Sequence, residues 1–215
     1  MFVTFEGLDG AGKSTQIHKL KTRMKDSGYS IVCTREPGGT SIGDKIRALL
    51  LDPMDTMCKE AEVLLYAASR AEHVRNVIMP ALARGDVVLC DRFVDASIAY
   101  QGAGLGVGVE QVKMINHFAT NGLKPDLTFL FDIPVPVSQD RVQNARRQVK
   151  ADRIEQRDSE YFNCVRDEFL RIAKQDSDRV VVLDAERPPN ILEQEIWKIV
   201  SKYLVIKGVT RGGRQ

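Results

Sequence analysis

The stretch FEGLDGAGKSTQ, residues 5–16, restricts the fold of this chain more than any other feature. Gly7, Gly12, Lys13 and Ser14 fit the pattern G-x-x-x-x-G-K-[ST], with an apolar strand pattern before it and a helical pattern after it. Glycines let backbone N–H groups converge on phosphate oxygens, and the N-terminus of the following helix adds partial positive charge. Lys13 then spans the β- and γ-phosphates of a nucleoside triphosphate, and Ser14 offers its hydroxyl to Mg²⁺. Asp9 is the anomaly, a carboxylate set among groups that attract anions. A metal's water shell or a sugar hydroxyl would make it useful.

β-Branched and apolar runs recur at 2–6, 30–34, 86–91, 126–132 and 179–184, separated by helix-length segments at 13–27, 57–83, 108–121, 136–146, 157–175 and 189–204. Most runs are almost continuously apolar, as strands covered on both faces are. This alternation predicts an α/β fold, a doubly wound, five-stranded parallel sheet flanked by helices with right-handed crossovers. With 215 residues, 43% hydrophobic and 28% charged, the chain suits one well-cored domain. That domain is placed at 1–207, and the Gly- and Arg-rich 208–215 reads as a frayed terminal tail. A formal charge of +2 is too small for nucleic-acid binding by bulk electrostatics. The N-terminus has no basic, apolar leader and no run approaches the ~20 apolar residues of a membrane span. A cytoplasmic location is expected, with no membrane partner.

Several short stretches carry candidate chemistry. VVLCDRF (87–93) ends a strand in Asp91-Arg92. At the carboxyl edge of a parallel sheet such an acid can hold Mg²⁺ while Arg92 projects toward a second anion, although a strand-end ion pair has the same appearance. CTREPGGT (33–40) puts Arg35 at the end of the second strand, before a turn shaped by Pro37-Gly38-Gly39. Tyr66 and Arg70 stand four apart in a helical pattern, hence on one face. An aromatic plane beside a guanidinium suits a flat heterocycle, though such pairs are also common on ordinary helices. Ser97, Tyr100 and Gln101 follow closely on Asp91-Arg92 and could read a base and a sugar.

Cys33, Cys58, Cys90 and Cys164 show no metal-site spacing and are expected to be reduced and mostly buried. His18, His73 and His117 are expected on helix surfaces or at the edge of the core. The charge-dense segment 144–158, NARRQVKADRIEQRD, is either a solvated helix face or a flap that carries arginines over a substrate.

Taken together, FEGLDGAGKSTQ, TREPGGT, LLYAASRAEH, DRFVDASIAYQG, LKPDLTFLFD and ADRIEQRD, in that order, resemble the thymidylate kinase family over nearly the whole chain. The resemblance implies a nucleoside monophosphate kinase-like fold with a short lid at about 144–156. It implies transfer of phosphate from ATP, with Mg²⁺, to dTMP, and a homodimer. Gly7, Leu8, Asp9, Gly10, Ala11, Gly12, Lys13, Ser14 and Thr15 would cradle the ATP phosphates. Asp9 would face the 3′-hydroxyl of dTMP or the water shell of Mg²⁺. Arg35 and Arg92 would grip the acceptor phosphate, Tyr66 would stack on thymine, and Arg70 would donate to its carbonyl oxygen. Ser97 and Gln101 would lie along the base, and Tyr100 would crowd the C2′ position. Because Leu8 to Ala11 include no arginine, the catalytic arginine falls to the lid, with Arg146 and Arg147 as catalytic candidates and Arg153 at the donor phosphates. Val149-Lys150-Ala151 stand where other lids carry a glycine, which leaves open which arginine reaches the phosphates.

Chemistry favours a kinase. A phosphate monoester has a second pKa near 6, so the attacking oxygen is already ionised at pH 7 and no general base is needed. Catalysis is then positioning and charge neutralisation. Two alternatives stand: a kinase for another nucleoside monophosphate, and a nucleotide-dependent switch or partition-type ATPase that hydrolyses ATP without an acceptor.

Overall fold

The computed structural model describes residues 1–145 and 151–211. Arg146 and Arg147, with the rest of 146–150 in the expected lid, and the last residues of the expected tail lie outside them. Five strands, β1 (Phe2–Gly7), β2 (Ile31–Arg35), β3 (Val87–Asp91), β4 (Leu127–Asp132) and β5 (Val180–Asp184), form one parallel sheet in the order β2-β3-β1-β4-β5. The helices are α1 (Lys13–Asp26), α2 (Ser41–Leu51), α3 (Lys59–His73), α4 (Met79–Ala83), α5 (Val94–Ser97), α6 (Val109–Thr120), α7 (Val135–Ala145), α8 (Ser159–Gln175) and α9 (Pro189–Ile206).

The apolar runs have a direct structural reason. Alternate residues of β1 and β3 go to opposite faces, with Val3, Phe5, Val87 and Leu89 in one apolar cluster and Phe2, Val88 and Cys90 in another. Edge strand β2 is only half buried. The five expected strands and six expected helices all form. Two features add to that pattern. Helix α2 begins at Thr40, whose side-chain oxygen accepts from the Gly43 N–H at 2.9 Å as an N-cap. The helix expected over 57–83 is interrupted by a π-helical turn at Val74–Ile78, ahead of Pro80, which lacks the N–H that an α ladder needs. A second π-helical turn, Ile98–Gly104, continues α5.

Two expectations about side chains need correction. Only Cys90 is buried; Cys58, at the start of α3, and Cys164, on α8, are exposed because those positions face outward, and all four thiols are free. His73 is wholly buried, not at an edge, because a polar network receives it: its Nδ1 is 2.8 Å from Glu36 Oε1 and its Nε2 shares a hydrogen bond with Thr34 Oγ1 at 2.5 Å. Among the described residues no helix is long and apolar enough to cross a membrane.

Candidate active site

Register brings the chemistry to one edge. Phe5 pairs with Asp91, and Arg35 pairs with Asp91, so the carboxyl ends of β1, β2 and β3 lie side by side. The chain builds β2 and β3 on one side of β1 and β4 and β5 on the other. The loop after β1 therefore sits at the switch point where open α/β sheets bind ligands.

Gly7 has φ +128°, and a Cβ there would meet the Phe131 carbonyl oxygen at 2.4 Å, so only glycine fits. Leu8 and Ala11 are buried and shape the loop from beneath; α7 braces it through Ser138, whose hydroxyl donates to the Asp9 carbonyl at 2.7 Å. Lys13 Nζ donates to the Gly7 and Leu8 carbonyls at 3.1 and 2.8 Å. Burial, then nearby Arg92, lowers the pKa of Lys13, while Asp9, Asp91 and Glu6 act against them. Ser14 Oγ donates to Asp91 Oδ2 at 3.0 Å. A hydroxyl and a carboxylate oxygen so close form the hard-oxygen pair that Mg²⁺ prefers, so these residues fit that ion.

Two adjoining spaces open from this edge. A phosphate trough is lined by Asp9, Gly10, Gly12, Lys13, Ser14, Thr15, Arg35, Asp91 and Arg92. A cleft beside it is lined by Asp9, Tyr66, Arg70, Arg92, Ser97, Tyr100 and Gln101. Residues far apart in sequence thus converge, with Asp9 and Arg92 common to both spaces. Arg92 Nη2 donates to Asp9 Oδ1 at 2.9 Å and to Tyr100 Oη at 3.2 Å, with the guanidinium 4.8 Å from the Tyr100 ring centre. Its Nη1 is buried and has no hydrogen-bond partner among the described residues. A buried guanidinium nitrogen without an acceptor is costly unless an anion completes it.

Arg70 is more deeply committed than a simple base reader. It is 2% exposed; Nε donates to Glu36 Oε2 at 2.6 Å, Nη1 to Ser97 Oγ and Asn116 Oδ1, and Nη2 to the Phe93 carbonyl. Four of its five N–H groups are used, and one on Nη2 remains. Burial, followed by the charge of Glu62, raises the Tyr66 phenol to about 12, so the ring borders the cleft as a neutral surface.

Arg153 stands away from its expected place. It does not line the phosphate trough; Nη1 donates to Glu62 Oε2 at 2.7 Å and Nε to the Leu50 carbonyl at 3.0 Å, because a buried carboxylate on α3 captures it. Arg35 reaches the trough but not the cleft beside it. Sequence reasoning passed over Arg47 of α2, which lines both spaces, together with Glu36, Asp152, Glu155 and, on the donor side, Arg141. Burial and then Arg35 lower the pKa of Arg47, the mark of a cation crowded by another. Glu62 was passed over as well, although spacing would have found it: Glu62, Tyr66 and Arg70 form one i, i+4, i+8 stripe on α3.

Comparison with known proteins agrees with this geometry. A model of the thymidylate kinase family matches residues 5–196. The chain is similar to a thymidylate kinase from Exiguobacterium sibiricum, 52% identical over 204 residues that cover 94% of this chain and 95% of that one. It is also 45% identical to a thymidylate kinase from Deinococcus radiodurans, covering 94% and 97% of the two chains. A crystal structure of thymidylate kinase from Ehrlichia chaffeensis superposes with a TM-score of 0.76 at 33% identity, covering 94% of this chain and 98% of that one. With the phosphate loop, the arginine that bridges two clefts and these relatives, the chain belongs to the thymidylate kinase family.

Proposed function

We propose that this chain transfers the γ-phosphoryl group of ATP to dTMP, giving dTDP and ADP. The observation that carries the reading is Arg92, held by Asp9 and Tyr100 between the base cleft and the phosphate trough, with Nη1 buried and lacking an acceptor. A phosphate entering from the base cleft supplies that acceptor and stands facing the loop.

Base and sugar sit between Tyr66, Arg70, Ser97, Tyr100 and Gln101, which line the cleft. The ionised acceptor phosphate attacks the γ-phosphorus in line as the bond to the β-phosphate oxygen breaks, and ADP leaves with the bond's electron pair. No side chain has to take a proton. Lys13, Arg35, Arg47 and Arg92 gather about the developing charge, and Asp9 keeps Arg92 oriented while remaining able to accept from a sugar hydroxyl. Mg²⁺ held through Ser14 and Asp91 would neutralise charge on the β- and γ-phosphate oxygens. The segment at about 144–156 would close as the lid and bring Arg146 or Arg147 to the donor phosphates, excluding water.

A homodimer and a cytoplasmic setting belong to the same reading. Leu64 on α3 and Met114 and Phe118 on α6 are large apolar side chains left exposed on contacting helices. Four free thiols suit a reducing compartment.

The test is ADP release from ATP and Mg²⁺ with one nucleoside monophosphate at a time. Release that depends on dTMP, weaker with dUMP because a buried methyl contributes only about 1–3 kcal/mol, is expected. ADP formed equally with no acceptor would favour the switch ATPase, and AMP or GMP outperforming dTMP would make this another monophosphate kinase.

A further inference from the structure

Glu62 lies one helical turn before Tyr66 on α3 and is 1% exposed. Its two oxygens are divided. Oε2 accepts from Arg153 Nη1 at 2.7 Å and from Arg157 Nη2 at 2.6 Å. Oε1 accepts from Gln101 Nε2 at 3.0 Å. Both arginines belong to the stretch ADRIEQRD, Arg153 within the expected lid and Arg157 just after it, and Gln101 belongs to the base cleft.

A carboxylate paired with two guanidinium groups offers only acceptors. The side of the Gln101 amide that faces Glu62 must therefore be its NH₂. Its Oε1, which makes no hydrogen bond among the described residues, is then the atom left for the cleft. Thymine has an N3–H donor beside its O4 acceptor; cytosine has an N3 acceptor beside an amino donor. An acceptor from Gln101 and the remaining Nη2 hydrogen of Arg70 match the first pattern and oppose the second.

We infer that Glu62 is a positioning residue for base selection: by fixing the amide orientation of Gln101, it sets the cleft to accept thymine and refuse cytosine, while Arg153 and Arg157 hold Glu62 in register. The inference rests on the reading of this cleft as the thymine pocket. It also gives Arg153 a task on the acceptor side, where the structure puts it.

Glu62→Gln inverts the pattern with almost no change in shape. The introduced amide keeps its carbonyl with the arginines and turns its NH₂ to Gln101, which must rotate to accept it and so presents its own NH₂ to N3. The test measures kcat/KM for dTMP and for dCMP on the full chain, within one preparation, so that any unfolded fraction cancels in the ratio. Glu62→Gln is expected to lower the dTMP-to-dCMP ratio by roughly tenfold to a hundredfold, the range of one reversed base-edge contact. The loss should be chiefly a raised KM for dTMP, with kcat held within a few-fold. Glu62→Asp, which still offers only acceptors, should retain most of the ratio. Gln101→Met should lower it as Glu62→Gln does. A ratio unchanged in Glu62→Gln but collapsed in Gln101→Met would overturn the role of Glu62 and leave the pocket reading intact; a ratio unmoved by either would overturn both. Should Glu62→Gln not fold, the double variant Glu62→Gln, Arg157→Leu leaves one guanidinium for one carbonyl and is judged by the same ratio.

Discussion

Arg92 and Asp9 meet at 2.9 Å, 83 positions apart in the chain, at the boundary where the base cleft joins the phosphate trough. This contact accounts for a carboxylate inside a phosphate loop. Asp9 neutralises and orients Arg92, the cation that under the proposed function faces the incoming phosphate, so the anion would serve phosphate binding. Asp9 is half exposed but Arg92 is largely buried, so removing Asp9 costs some folding stability as well as activity. Asp9→Ala is expected to lower kcat/KM for dTMP by about a hundredfold or more, as loss of a transition-state contact does, with a fall in Tm smaller than that of Arg70→Ala. Steady-state kinetics beside a thermal melt test this; near-full turnover in the variant would contradict the role.

Arg70 is a structural residue as well as a candidate base reader. Its partners Glu36, Ser97, Asn116 and Phe93 come from different segments of the chain, and Glu36 also holds His73. Removing one member of a buried ion pair strands the other at a cost of about 3–5 kcal/mol. Arg70→Ala should therefore lower Tm by about 10 °C in addition to weakening the preference for thymine over cytosine. A melt within about 2 °C of the wild type, by the same scale, would show that the network contributes no such stability.

Stability should also depend on pH through Glu6. Burial, then the nearby Asp95, raises its carboxyl from an ordinary 4.5 to about 8; Oε1 accepts from the Phe93 N–H at 2.7 Å while Oε2 is buried without a partner among the described residues. Between pH 4.5 and about 8 the folded chain keeps a proton that the unfolded chain has released, so this group's contribution is fully present below 4.5 and falls as pH rises through 8. Glu6→Gln removes the titration. Its Tm advantage over the wild type should grow between roughly pH 5 and pH 9 by about 5 °C or more. Parallel Tm-against-pH curves for the two proteins would refute the assignment.

The apolar residues on α3 and α6 make the proposed homodimer testable. Phe118 is 90% exposed and Met114 66%. Phe118→Glu puts charge within that patch and should convert a two-chain species into single chains in analytical ultracentrifugation, with the monomer's Tm lower by mass action. An unchanged sedimentation coefficient would place the interface elsewhere.

The sequence by itself determined much here: five strands, the helices between them, and a phosphate loop whose glycines, lysine and serine stand at fixed spacing. Those features are local. Continuous apolar runs mark strands buried on both faces, and Gly7 is dictated by backbone geometry and the close Phe131 carbonyl. Helical periodicity put Tyr66 and Arg70 on one face; the same spacing carries Glu62, which was passed over.

Only the tertiary structure decided where each cation was used. Arg35, Arg47, Arg70, Arg92 and Arg153 are alike in sequence, and charge acts through distance and burial, which are set when β1, β2 and β3 align their carboxyl ends. Folding buried Glu36 and Glu62, and each buried carboxylate claimed the arginines within reach, Arg70 for the first and Arg153 with Arg157 for the second. Arg92, whose other end a carboxylate holds, keeps a buried nitrogen at the junction of the two clefts. Partner choice among like charges is non-local, so spacing along the chain could nominate those arginines but not assign them.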